Sequence, residues 1–233
     1  MGDNAHIGTD WCNRVVDTMK VIQNLVPTSK YNIKCPYPMV AEFIVVHNTA
    51  NDTSARNEVA YMIRNNDKVS FHYAIDDKEI IQGIPENRNA WHAGDGANGQ
   101  GNRKGLSIEI CYSKSGGQRF IEAEKLAAKF IAFKLKEKGW GINRVKKHQD
   151  FSGKYCPHRT LDMGWQRFLD MVRSELDKLK GADKVTDKNT PSSWAKEAWE
   201  WAKKEGLLDG TRPKDNLTRE EFAVVLKRLA DKK

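Results

Sequence analysis

Long apolar runs are missing from this 233-residue chain; nowhere does it hold the ~20 consecutive apolar residues that a membrane-crossing helix requires. The N-terminus lacks the basic-then-apolar pattern of a secretory signal, so action beyond the membrane is expected to depend on another route of release. Cysteine is scarce: Cys12, Cys35, Cys111 and Cys156 are widely spaced. That excludes a dense disulfide framework and points to a reduced compartment during synthesis. No DNA- or RNA-binding signature is visible, and the basic residues are scattered among acids instead of gathered in one arm or helix, which sets nucleic acid aside as a partner.

What is present fits an ordinary globular protein. Hydrophobic residues make up 39% and charged residues 30% of the chain, enough to build a core and to exclude wholesale disorder. A length of 233 residues and a mass of 26.5 kDa suit one catalytic domain plus a small appendage. The net charge of +8 favours a polyanion as partner, whether nucleic acid, acidic membrane or anionic cell-wall polymer, and charge by itself does not choose among them.

Residues 1–18 read as an upstream or added lead, poorly ordered, before a second candidate initiator at Met19; a short helix over Trp11 to Val26 is the alternative. Glu42 to Val46 is a β-branched apolar run, the mark of a buried strand, and it delivers His47 at its C-terminal end. Ala55 to Asn65 has the spacing of an amphipathic helix. Ser70 to Ile75 and Glu79 to Ile84 form a hairpin around Asp76-Asp77. The glycine-rich stretch from Ala93 to Gly105 reads as a surface loop near the site, followed by a strand over Leu106 to Cys111 that carries Glu109. Helices are expected over Ile121 to Lys138, stopped by Gly139, and over Gly164 to Leu179. This order predicts an α/β domain with a central mixed sheet flanked by helices over 19–180. A polar linker over 181–191 and a small helical unit over 192–233 follow. In that unit Trp194 to Glu205 forms one helix, and Thr218 caps the last with Glu221 as its capping-box partner.

The most informative segment is His148 to Arg159, which packs His148, Lys154 and Cys156 into one loop. With His47 upstream it reads as a zinc site, because zinc takes imidazole nitrogen and thiolate sulfur tetrahedrally and a catalytic site keeps one of four positions open. His47, His148 and Cys156 supply the three protein ligands. The competing reading makes Cys156 a thiol nucleophile activated by a nearby histidine. His6 and His158 read as ordinary packed or exposed imidazoles.

Four motifs in order then carry a resemblance: Phe43-Ile44-Val45-Val46-His47-Asn48-Thr49-Ala50, Trp91-His92-Ala93-Gly94, Ser107-Ile108-Glu109, and Ser152-Gly153-Lys154-Tyr155-Cys156-Pro157-His158. Over roughly Pro27 to Leu179 the chain resembles the zinc-dependent N-acetylmuramoyl-L-alanine amidases of the phage endolysin and peptidoglycan-recognition type. The resemblance implies one zinc ion on His47, His148 and Cys156, with Lys154 as the family's catalytic lysine and Glu109 as the carboxylate on the strand after the glycine-rich loop. The substrate it implies is peptidoglycan, cut between N-acetylmuramic acid and L-alanine. The setting it implies is synthesis in a bacterial cytoplasm followed by holin-type release to the wall, without membrane insertion.

The chain departs from many members at Phe71, which stands where they carry tyrosine; this leaves Glu109 as the proton carrier. His92 is placed in the substrate groove, and His72 in the core or behind the site. Structural alternatives remain open: Glu109 facing solvent on an alternating strand, and Lys154 as a surface charge. Non-catalytic peptidoglycan recognition and a zinc peptidase acting on stem peptides are the rival functions. The C-terminal unit resembles a single S-layer homology-type repeat, through Val185-Thr186-Asp187, Trp194-Ala195, Gly206 to Gly210 and Leu217 to Glu221. That likeness implies a secondary cell-wall polymer as partner. Trp194, Trp199 and Trp201 would meet sugars and Arg219 an acidic group, against the alternative of a small tryptophan core and a solvated arginine.

Overall fold

The computed structural model describes residues 19–186, 190–191, 195–213, 215 and 217–231. The expected lead over 1–18, with His6 and Cys12, and the expected contribution of Trp194 lie outside the described residues. The chain divides into two compact units, Met1–Leu179 and Lys180–Lys233.

The first unit is a six-stranded mixed sheet flanked by helices. Its elements run β1 (Val21–Gln23), α1 (Tyr31–Lys34), β2 (Phe43–Asn48), α2 (Ala55–Arg64), β3 (Tyr73–Ile75), β4 (Ile80–Gln82), α3 (Gln100–Lys104), β5 (Gly105–Ile110), α4 (Gly117–Glu137), β6 (Val145–Lys147), α5 (Gln149–Ser152), α6 (His158–Asp162) and the part of α7 (Trp165–Thr186) that ends at Leu179. Strand order is β1-β4-β3-β5-β2-β6, and every pairing is parallel except the β3–β4 hairpin. A parallel strand covered on both faces reads as a continuous apolar run, which is why β2 is buried along its whole length. Ile44, Val46, Leu106 and Ile108 pack in one core with Val59 and Met62 of α2, Phe130 and Ile131 of α4, and Phe168 and Val172 of α7.

The helix signals work as expected. Ser54 caps α2 by accepting a hydrogen bond from the Asn57 N–H, and Gly139 follows α4 with φ +65°. The structure departs from the expected pattern in four places. Residues 21–23 are a strand beside β4, not part of a helix from Trp11 to Val26. The hairpin strands are only three residues each, and the glycine-rich stretch contains the short helix α3. Residues 181–186, expected to begin a linker, continue α7. Among the described residues no helix is long and apolar enough to cross a membrane.

The second unit holds α8 (Lys196–Lys204) and α9 (Arg219–Ala230). Leu207 is buried between them in sequence and Trp199 is half-buried, while Trp201, Phe222 and Leu226 are exposed. Thr218 and Glu221 form the expected capping box, each side chain accepting the other's backbone N–H.

Candidate metal centre and cleft

Parallel pairing brings the chemistry together. In register, His47 of β2 lies beside Glu109 of β5, and Val46 lies beside Lys147 of β6, so His148 follows at the same level. Residues paired across neighbouring strands project from the same face, and the C-terminal ends of parallel strands are where open α/β sheets place their sites. Three adjacent strand ends thus present Glu109, His47 and His148 together. The turn α5 and the segment after it then return Cys156 to the same point, where the Gln149 N–H donates to the Cys156 carbonyl.

His47, His148 and Cys156 are buried, and their donor atoms lie within 4.8 Å of one another, a group that could hold a metal ion. His47 Nδ1 is 3.9 Å from Cys156 Sγ and 3.9 Å from Glu109 Oε1. His148 Nδ1 and Glu109 Oε2 are buried without a hydrogen-bond partner. Unmatched buried polar atoms cost about 1–3 kcal/mol each, so donors converging in this state are suited to a ligand that completes them. Burial holds both imidazoles below the usual histidine range; His92, His148 and Lys154 add to the effect at His47, and Lys154 adds to it at His148. The neutral imidazole this favours is the form that binds a metal. These residues fit a zinc ion in ligand type, number and spacing.

Burial also pushes the Cys156 thiol up to about 11, with the Glu109 charge reinforcing it. A free thiol of that kind is a poor nucleophile near neutral pH, so its surroundings give the thiol-nucleophile reading no support. Glu109 is 16% exposed at its side chain, so it does not face solvent. Burial raises its carboxyl to about 8, the Glu58 carboxylate pushes the same way, and Lys154 opposes both. Lys154 itself is exposed and lines the cleft.

The cleft has a volume of about 1100 Å³, with the His47–His148–Cys156 group and Glu109 in its wall and with Tyr61, Val69 and Trp91 further along. Phe71 lines it too, where no hydroxyl is available. One wall is held by Lys34, which is fully buried and donates to Asn65 Oδ1 (2.7 Å), the Asp67 carbonyl (2.6 Å) and the Val69 carbonyl (3.1 Å). The Lys34 carbonyl in turn accepts from Ser70 Oγ, which accepts from the Trp91 N–H. Nothing in the sequence marked Lys34, because a lysine in a short polar segment reads as surface.

The other histidines separate cleanly. His72 is fully buried with its ring 6.4 Å from that of His92, Nδ1 accepting from the Ser107 N–H and Nε2 donating to the Arg88 carbonyl. His158 sits beside the Ser113 carbonyl. His92 lines the cleft, and its Nδ1 lies 3.0 Å from His47 Nε2, a contact no motif announced.

Fold and site together define an α/β domain that carries, at its strand ends, a two-histidine, one-cysteine group that could hold a metal ion. The family described as N-acetylmuramoyl-L-alanine amidase matches residues 37–159, and the chain belongs to that family. It is 62% identical over 164 residues to N-acetylmuramoyl-L-alanine amidase CwlA of Bacillus subtilis (strain 168), covering 70% of this chain and 60% of the relative. It is 54% identical over 178 residues to N-acetylmuramoyl-L-alanine amidase XlyB of the same organism, covering 76% and 56%. The chain therefore spans under two thirds of the length of these relatives. Among solved structures, that of PlyL is similar at TM-score 0.64 and 53% identity, covering 66% of this chain and 97% of PlyL.

Proposed function

We propose that this chain is a zinc-dependent endolysin-type amidase that hydrolyses the amide bond between N-acetylmuramic acid and L-alanine in peptidoglycan. The observation that carries the reading is the convergence of His47, His148 and Cys156 beside the desolvated Glu109 in the wall of an open cleft. Similarity to relatives named for this activity supports the same bond.

Zinc bound by His47, His148 and Cys156 supplies Lewis-acid polarisation of a carbonyl and access to hydroxide near neutral pH. The remaining work falls to side chains. Glu109, its carboxyl raised to about 8, exchanges a proton near neutral pH; it takes one from the attacking water and returns it to the departing L-alanine nitrogen. Lys154 places a positive charge in the cleft wall for the negative charge that builds on the carbonyl oxygen. The cleft, about 1100 Å³ in volume, offers room for glycan and stem peptide around the scissile bond.

The second unit is assigned to wall targeting through a secondary cell-wall polymer, on the strength of its S-layer-type motifs and of Trp201 and Arg219, both exposed. The enzyme reaches its substrate after holin-type release.

Digestion of purified peptidoglycan tests the reading directly. New free N-terminal alanine, lost on chelation and restored by zinc, is the expected result; reducing ends without alanine, or binding without cleavage, would overturn it. Deletion from Gly181 onward is expected to weaken wall binding, and unchanged binding would remove the targeting role.

A further inference from the structure

A metal-binding imidazole offers one nitrogen to the ion and needs a proton on the other, so whatever accepts that proton sets the tautomer and the angle of the ring. In His47 the division of labour is visible. Nδ1 faces the centre, 3.9 Å from both Cys156 Sγ and Glu109 Oε1, and Nε2 is turned away toward His92 Nδ1 at 3.0 Å. The rings meet at 86°, with centroids 5.0 Å apart. No carboxylate or backbone carbonyl lies within hydrogen-bond distance of Nε2 among the described residues; the partner is a second neutral ring.

That second ring is itself fixed in place. The His92 N–H donates to Asn102 Oδ1 at 2.8 Å, as does the Ala93 N–H. Asn102 is buried, and its own N–H and that of Gly101 donate to the Asp95 carboxylate. The glycine-rich stretch is thus a bracket that aims one imidazole at another. His92 Nε2 is buried without a hydrogen bond of good geometry, and the Gly105 and Gly101 backbone stands beside the ring on the side that must carry the proton if Nδ1 accepts. His72 offers the contrast: backbone groups satisfy both of its nitrogens and it is spoken for.

We infer that His92 is a positioning residue, which accepts the Nε2 proton of His47 and thereby presents the His47 Nδ1 lone pair to the metal. This rests on the metal reading above and assigns His92 a role other than contact with substrate.

The test is zinc affinity of the full chain, measured by competition with a chromogenic zinc chelator. His92→Asn keeps an oxygen where Nδ1 stands, and His92→Leu keeps the shape without an acceptor. The leucine variant is expected to bind zinc about 10- to 100-fold more weakly, and the asparagine variant to stay within about threefold of the unaltered protein. Leucine and unaltered proteins binding equally would overturn the inference, as would asparagine and leucine variants weakened alike. Absence of zinc uptake by the unaltered chain would overturn the metal reading along with it, so the two failures are distinct. Circular dichroism of the metal-free proteins checks folding, and His92→Phe replaces the leucine variant should that one not fold.

Discussion

Each face of the sheet carries a cluster of titratable side chains, and the two clusters differ in whether their polar atoms are matched. In register Ala74 lies beside Glu109 while Tyr73 lies beside Ile108, so Tyr73 projects from the face opposite Glu109 and His47. On the Tyr73 face, Glu86 accepts from Tyr73 Oη at 2.6 Å and pairs with Lys134 and Lys138 at 2.9 Å each, and Lys134 also pairs with Glu137. None of these groups has a buried atom left over among the described residues. On the other face Glu109 Oε2, His92 Nε2 and His148 Nδ1 all lack partners. A matched network holds the fold together, whereas an unmatched one is stable only if something outside the chain completes it.

The largest effect should come from removing a donor on the unmatched face. Cys156→Ala is expected to abolish zinc uptake and to lower peptidoglycan cleavage by about 10⁴-fold, on the order of 5 kcal/mol of barrier. Measured zinc content and alanine release check it together, and near-normal cleavage with no zinc would break the contrast at its root. Glu109→Gln comes next. It keeps the shape and the zinc but loses the proton carrier, for a loss of about 10³-fold in kcat. Loss of zinc in this variant would instead make Glu109 a ligand or a support for one.

The matched face should respond in stability and not in turnover. Although burial pushes the Glu86 carboxyl up, hydrogen bonds from Tyr73, Lys138 and Lys134 bring it down to about 2. A depressed carboxyl contributes stability above its ordinary pKa and loses it as the pH falls, here between about 4.5 and about 2. Glu86→Gln should cost about 2 kcal/mol at neutral pH and flatten the acid limb of stability across that window. Urea unfolding at several pH values reads this, with kcat and zinc affinity unchanged; a variant that loses zinc would mean the two faces are coupled.

Legibility in the sequence follows the same division. The buried strand ending in His47, the Glu109 strand and the His148–Cys156 segment were readable because β-branched runs and metal-ligand spacing are local signals. The three-residue strands β1 and β6 were not, since Val21–Gln23 and Val145–Lys147 owe their conformation to neighbours far along the chain. Lys34, Asn102 and the contact between His47 and His92 were equally hidden. Each depends on a partner that only the folded chain brings near, and neither lysine nor asparagine announces burial.

The capping box of α9 was fully legible, because its partners are three residues apart, and it marks the low end of the scale. Thr218 and Glu221 exchange hydrogen bonds at 2.9 and 3.1 Å on an exposed surface, where water competes for every donor and acceptor. Unlike the sheet clusters, this pair is matched but not desolvated. Thr218→Ala should therefore cost only about 1 kcal/mol in helix stability, seen as a small loss of helical signal on warming, with zinc uptake and cleavage of soluble muropeptide unchanged. A loss as large as that of Glu86→Gln would show that burial is not what separates the strong polar contacts of this chain from the weak ones.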